Sequence, residues 1–271
     1  MQDVDFIKNK IAYTLHLADN TLILSQRNSE WCGHGPILEQ DIAITNISLD
    51  LIGQARSLYQ YAAELINEKS GIEESKVPPS EVSELNEGKE HSSNEVTEDT
   101  LAYLRTEREF KNFLLVEQPN GDWAQTMLRQ FLVSAYQYFL YEQLLNSSDK
   151  TISAISEKSL KEVSYHLRWS SEWVIRLGDG TVESNTRIQH AVDELWSYTG
   201  EMFIPVDYEK TSEVNFDLLQ TNWFSKIKTV FAQAKLPVPE NVFMQTGGKT
   251  GTHTEHLGLM LTELQLSLIH I

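Results

Sequence analysis

Cysteine is nearly absent from this chain of 271 residues. Cys32 stands alone, so no disulfide framework can hold the fold. A reducing compartment is the simpler expectation. Positive charge is also scarce. Lys and Arg number 22 against 39 Asp and Glu, for a net charge of −17. A chain so acidic is a poor partner for nucleic acid or an anionic membrane face, since both need basic clusters. No apolar run approaches the roughly 18–20 residues of a membrane span. The N-terminus lacks the basic, then apolar, then small-residue order of a signal peptide. These absences predict a cytoplasmic protein with neither membrane nor nucleic acid among its partners. Strand-like alternation and solenoid-period repeats are missing too.

What remains is helical periodicity on a chain that is 41% hydrophobic, ample for a substantial core. A first helix is predicted over 3–27, with Ile11, Leu15, Ala18, Leu22 and Ser25 on one stripe. Two glycines and Pro36 mark a turn over 28–36. A second helix follows over 36–68, its core face made by Ile44, Ile47, Leu51, Ala55, Leu58, Ala62 and Leu65. Residues 68–99 then carry ten acids against three lysines, a local charge of −7, together with Pro78-Pro79 and no aromatic side chain. This composition reads as an acidic, largely disordered insertion over 69–98 within a single domain, 1–271. Further helices are predicted over 99–113, 122–146, 151–178, 185–202 and 215–234, and from about 252. The third long helix should face inward with Leu128, Phe131, Leu132, Ala135, Phe139 and Glu142. The fourth should do so with Ile155, Ser159, Glu162, Val163, His166, Ser170 and Trp173. The fold class is all-α, a four-helix bundle with additional helices.

Bundles of this kind hold two metal ions through Glu-x-x-His pairs, the His three positions after the Glu. The eight histidines are preceded at that spacing by Tyr13, Trp31, Gly88, Val163, Arg187, Thr250, His253 and Ser267. None is Glu. Glu162 and His166 are four apart and still share a helix face. Asp19, Asp50 and Glu142 fall near the facing surfaces, but four and three residues after Asp50 stand Gln54 and Gly53. Asp50, Glu162 and His166 are therefore degenerate metal positions, better read as a polar network, with buried charges paired to His166 or to Arg56, Arg129 or Arg168. A catalytic site of Asp19, Asp50, Glu142, Glu162 and His166 is the alternative.

Other constellations are weaker. His253 and His256 with Glu255 lack a third zinc ligand and read as a helix start. Gly247-Gly248-Lys249-Thr250 ends like a phosphate loop, but Phe243 stands where the first glycine is required. Lys249 with the glycine amides remains a candidate site for an anion or a CoA phosphate. Cys32 beside Trp31 and His34 reads as a packed thiol rather than a nucleophile. Trp169, Trp173, Trp196 and Trp223 suit the core or a contact between subunits.

Four blocks carry a resemblance. LSQRNSEWCGH over 24–34, NISLDLIGQAR over 46–56, LVEQPNG over 115–121 and TGGKTGTHTEHLG over 246–258 resemble, in this order, the C-subunit family of bacterial phenylacetyl-CoA epoxidases. The similarity spans nearly the whole chain. It implies a ferritin-like fold and a place in a multicomponent oxygenase of phenylacetate breakdown. It also implies a related A subunit that holds the di-iron site, a structural C subunit without cofactor, and a separate flavin and iron–sulfur reductase subunit. A homodimer is the further expectation for the isolated chain. The 69–98 stretch is longer than the connection associated with that family.

Overall fold

The computed structural model describes residues 2–74 and 95–266. Among these residues there is no strand. Two long helical hairpins form the centre. The first joins α1 (Gln2–Ser29) to α2 (Leu38–Glu74) through a short turn. The second joins α5 (Trp123–Leu144) to α6 (Lys150–Gly178) through five residues. Between the hairpins come two short helices, α3 (Glu98–Tyr103) and α4 (Leu114–Glu117). After them come α7 (Val182–Leu195), α8 (Phe216–Gln233) and α9 (Glu255–Leu266).

Side-chain bonds fix the directions of the four long helices. Between α2 and α6, Gln40 meets Trp173, Asp50 meets His166 and Gln54 meets Glu162. Rising numbers on one helix meet falling numbers on the other, so the pair is antiparallel. The short connections make α1 antiparallel to α2 and α5 antiparallel to α6. Hence α2 and α5 run parallel, and one long crossover must join them. This is the ferritin-like arrangement.

One apolar core runs through the bundle. The predicted faces are largely as expected. Ile44, Ile47, Leu51, Ala55, Leu58 and Ala62 are buried on α2, and Leu128, Phe131, Leu132 and Ala135 on α5. Trp169, Trp196 and Trp223 are buried as well. Side-chain caps set the helix starts: Asp122 on the Gln125 amide, Asp149 on Thr151 and Ile152, Asn215 on Leu218.

Several expectations need correction. Glu142 is exposed, because it falls outside the buried stripe of α5. Cys32 is exposed in the α1–α2 turn, its Sγ 3.2 Å from Thr45 Oγ1. The helix expected over 99–113 ends at Tyr103. Beyond it comes a single 3-10 turn, Glu107–Glu109, and then backbone that bonds to α1 side chains. Lys111 N–H donates to Asp19, Lys111 C=O faces His16 Nδ1 at 2.7 Å, and Phe113 N–H donates to Asn20. The acidic stretch lies mostly outside the described residues, but α2 continues to Glu74 and α3 begins at Glu98. Asn67 exchanges hydrogen bonds with the Val96 backbone and so holds its two ends together.

Candidate functional site

A di-metal centre in such a bundle draws ligands from all four long helices, α2 and α6 among them. Here the structure brings Asp50, Glu162 and His166 onto facing surfaces, but in separate pairs. His166 Nε2 lies 3.0 Å from Asp50 Oδ2. The imidazole is buried and the carboxylate partly open to solvent. One turn further, Gln54 donates to Glu162 at 2.9 Å and accepts from the Tyr141 hydroxyl at 3.3 Å. Gln54, four residues after Asp50, thus acts as a hydrogen-bond bridge. The second ring nitrogen of His166 is buried without a hydrogen-bond partner. Even so, no three His, Cys, Asp or Glu side chains converge at metal-holding distance among the described residues. One imidazole with one carboxylate does not fit a di-iron site, which needs about four carboxylates and two histidines.

Asp19 is held differently. Arg105 and the Tyr59 hydroxyl bond to Oδ1, and the Lys111 amide bonds to Oδ2 at 2.8 Å. The guanidinium also lies 4.2 Å from the Phe110 ring centroid. Burial, and then the Asp19 charge, hold the Tyr59 phenol well above its usual range.

Lys249 is buried. Its Nζ contacts both Glu209 oxygens, at 3.0 and 2.9 Å, and the Ile204 carbonyl at 3.0 Å. Burial pushes the ammonium down and the Glu209 carboxyl up, and their mutual attraction opposes both shifts. The Gly247 and Lys249 amides both donate to Glu201 Oε1, and Leu114 N–H donates to Oε2 at 3.0 Å. The expected anion site at Lys249 is therefore filled from within by two carboxylates of the chain itself. The sequence signal resembled a phosphate loop because glycine amides and a lysine serve any carboxylate in the same way.

His253 is a tie of the same kind. Nδ1 lies 2.9 Å from Glu117 Oε2 and Nε2 lies 3.0 Å from the Phe110 carbonyl. Burial opposes its charge, but the hydrogen bond and charge of Glu117 outweigh it, so its pKa is raised. Both ring nitrogens then donate. The Thr254 amide bonds to the other Glu117 oxygen at 2.6 Å, and Arg27 bonds to the Glu117 carbonyl at 2.7 Å. Arg129 holds the next turn through the Gln118 carbonyl and the Asn120 side chain. Three of the four resemblance blocks thus meet around fully buried Glu117. Gly251 permits the approach. It has φ +81°, and a Cβ there would lie 2.2 Å from the Arg108 carbonyl oxygen.

The face that sequence reasoning missed is on the outside of α2. Leu38 (71% exposed), Ile42 (52%), Leu49 (61%) and Ile52 (38%) point to solvent, with Ile37 just before them. Their spacing of four, seven and three residues is a second apolar helical stripe, legible in the sequence. It was masked by the stronger core stripe beside it. Tyr165 on α6 is exposed next to His166. At the same end of the bundle, Trp169 and Trp173 both donate to Gln40, and Trp31 donates to Thr126.

The site and fold together define a ferritin-like bundle whose interior carboxylates are held by its own side chains and which presents an apolar helix face. Comparison with known proteins places it more narrowly. Residues 2–268 match the family described as phenylacetic acid catabolic protein, and the chain belongs to that family. It is 44% identical over 259 residues to the C subunit of 1,2-phenylacetyl-CoA epoxidase from Escherichia coli (strain K12), covering 94% of each chain. No described helix is long and apolar enough to cross a membrane.

Proposed function

We propose that this chain is a structural subunit of a multicomponent oxygenase that epoxidises the ring of phenylacetyl-CoA. In this reading a related catalytic subunit holds the di-iron site, and this chain supports it. The observation that carries the reading is the pairing of the interior carboxylates. Asp50 is paired with His166, Glu162 with Gln54, and Asp19 with Arg105. Each carboxylate that could bind metal already has a hydrogen-bond partner in the chain, and Gln54 is a poor substitute for an anionic ligand.

The α2 stripe supports the partner half of the proposal. Exposed Leu38, Ile42, Leu49 and Ile52 follow one another over about 21 Å of helix at 1.5 Å per residue. Monomers rarely leave a contiguous apolar patch of this kind uncovered. A facing helix of a second bundle would bury it by side-chain interdigitation. The close parallel to a named epoxidase subunit makes the catalytic subunit the partner of choice.

Three measurements test the proposal. Metal analysis of the purified chain should find no stoichiometric iron, and about two irons per chain would refute the structural role. Co-purification with the catalytic subunit should be lost in Leu49→Asp, a surface change that leaves the monomer folded. Undiminished co-purification would remove α2 as the contact. In the reconstituted complex Glu162→Gln should retain full epoxidase activity, and a loss of a hundredfold or more with the complex intact would return Glu162 to the catalytic list.

A further inference from the structure

A second cavity lies away from the α2–α6 pairs, between α8 and the extended chain that follows it. Its volume is about 580 Å³, within the usual range for small-molecule sites. The walls are Trp196, Phe203, Trp223, Phe224 and Met244. The Phe203 and Trp223 ring centroids are 5.1 Å apart at 58°, and those of Trp196 and Trp223 are 5.9 Å apart at 39°. Such tilted rings present both edges and faces to a third ring. Met244 closes one side by lying against Gly200, where a Cβ would come within 2.6 Å of its Cγ.

The rim carries one cation. Lys228 lies 4.5 Å from the Phe224 ring centroid and is exposed. Among the described residues it forms no ion pair, although the chain carries a net charge of −17. No carboxylate lines the cavity. An aromatic floor with a single unneutralised ammonium at its edge selects a ring joined to an anion.

We propose that this cavity binds a small aromatic carboxylate, its ring against the partly exposed Phe224 and Phe203 and its carboxylate facing Lys228. The site uses none of the residues of the proposed structural role, so either reading can fail alone.

The test is a calorimetric titration of phenylacetate into the purified full-length chain. One saturable site is expected, with a dissociation constant on the order of 1 mM or tighter for a ligand of this size. Lys228→Gln should weaken it about tenfold, as expected for loss of one charge-assisted contact. Phenylacetamide should bind the unaltered chain about as weakly as phenylacetate binds Lys228→Gln. Gly200→Val should abolish binding by driving Met244 into the cavity, and Lys226→Gln should leave it unchanged. Should Gly200→Val lose its helical circular dichroism, the exposed Lys228→Gln variant still decides the matter. Absence of saturation up to about 10 mM, about tenfold above the expected constant, overturns the proposal. So does equal binding of the acid and the amide, which would mark an apolar docking pocket instead.

Discussion

Lowering the pH from 7 to 5 should remove about 2 kcal/mol of folding stability through His16 alone. The imidazole is buried, with its Nδ1 2.7 Å from the Lys111 carbonyl oxygen. Burial, and then the Lys249 cation, push its pKa from 6.5 down to about 3. In the unfolded chain the ring titrates near about 6.5. Between these two values the unfolded chain binds a proton that the native chain refuses. Stability therefore falls as pH falls through that window. Linkage gives about 2.0 kcal/mol lost at pH 5 against about 0.2 at pH 7. Urea unfolding of the natural chain and of His16→Gln at both pH values measures the effect. Glutamine keeps an N–H for the Lys111 carbonyl and does not titrate. All other titrating groups are common to both proteins and cancel in the difference. The natural chain should lose about 2 kcal/mol more than the variant. Equal losses would refute the reasoning. A larger loss in the variant would show that His16 is an imidazolium paired with Glu209, 3.4 Å from its Nε2, and stabilised by acid.

Other perturbations follow from the same geometry. Lys249→Ala leaves Glu209 buried without its cation and should cost about 3–5 kcal/mol in urea unfolding, the cost of breaking a buried pair. His253→Ala removes both ties to Glu117 and Phe110. Because the pKa of His253 is raised in the fold, its contribution is complete below about pH 6.5 and is lost as pH rises through the native value. The gap in stability between His253→Ala and the natural chain should thus narrow toward alkaline pH. Gly251→Val forces a β-branched side chain to φ +81° and toward the Arg108 carbonyl, and should lower stability by about 1–3 kcal/mol. Leu49→Asp, by contrast, should change monomer stability by less than about 0.5 kcal/mol, since its side chain is already in water.

The bundle was legible because its signal is additive. Each core stripe repeats over several turns, so a misplaced residue such as Glu142 does not change the assignment of its helix. The segment over 104–113 was illegible for the opposite reason. At Lys111 and Phe113 its backbone is satisfied by Asp19, His16 and Asn20, about 90 residues earlier in the chain, and no local periodicity reports such partners. Glu209 was missed because a lone glutamate in a polar stretch has no pattern of its own. Only the fold brings it to Lys249. Asp50, Glu162 and His166 were placed correctly on facing helices, yet their pairing depended on Gln54. The sequence shows that residue as the absence of a ligand rather than as a bridge.

The blocks that carry the family resemblance also have a physical reading within the fold. Residues 24–34, 115–121 and 246–258 are far apart in the chain, yet all three reach Glu117. Arg27 takes its carbonyl, while His253 and Thr254 take its carboxylate. A buried carboxylate with a cation on it tolerates few substitutes, because removing either member strands the other in a low dielectric. Such a tie fixes the long crossover and the C-terminal segment against α1. It thereby fixes the shape on which an external face such as that of α2 depends. A chain that held its own metal would need ligands inside the bundle. One that supports a partner needs a rigid frame instead, and the most motif-like residues here are spent on that frame. Glu117→Gln tests the distinction directly. It preserves shape but removes the charge facing His253, so it should destabilise the chain by about 2–4 kcal/mol, as expected for a buried charged tie. At a temperature where the variant remains folded, its co-purification with the proposed catalytic partner should persist. Loss of pairing without loss of stability would mean that Glu117 acts on the interface and not through the frame.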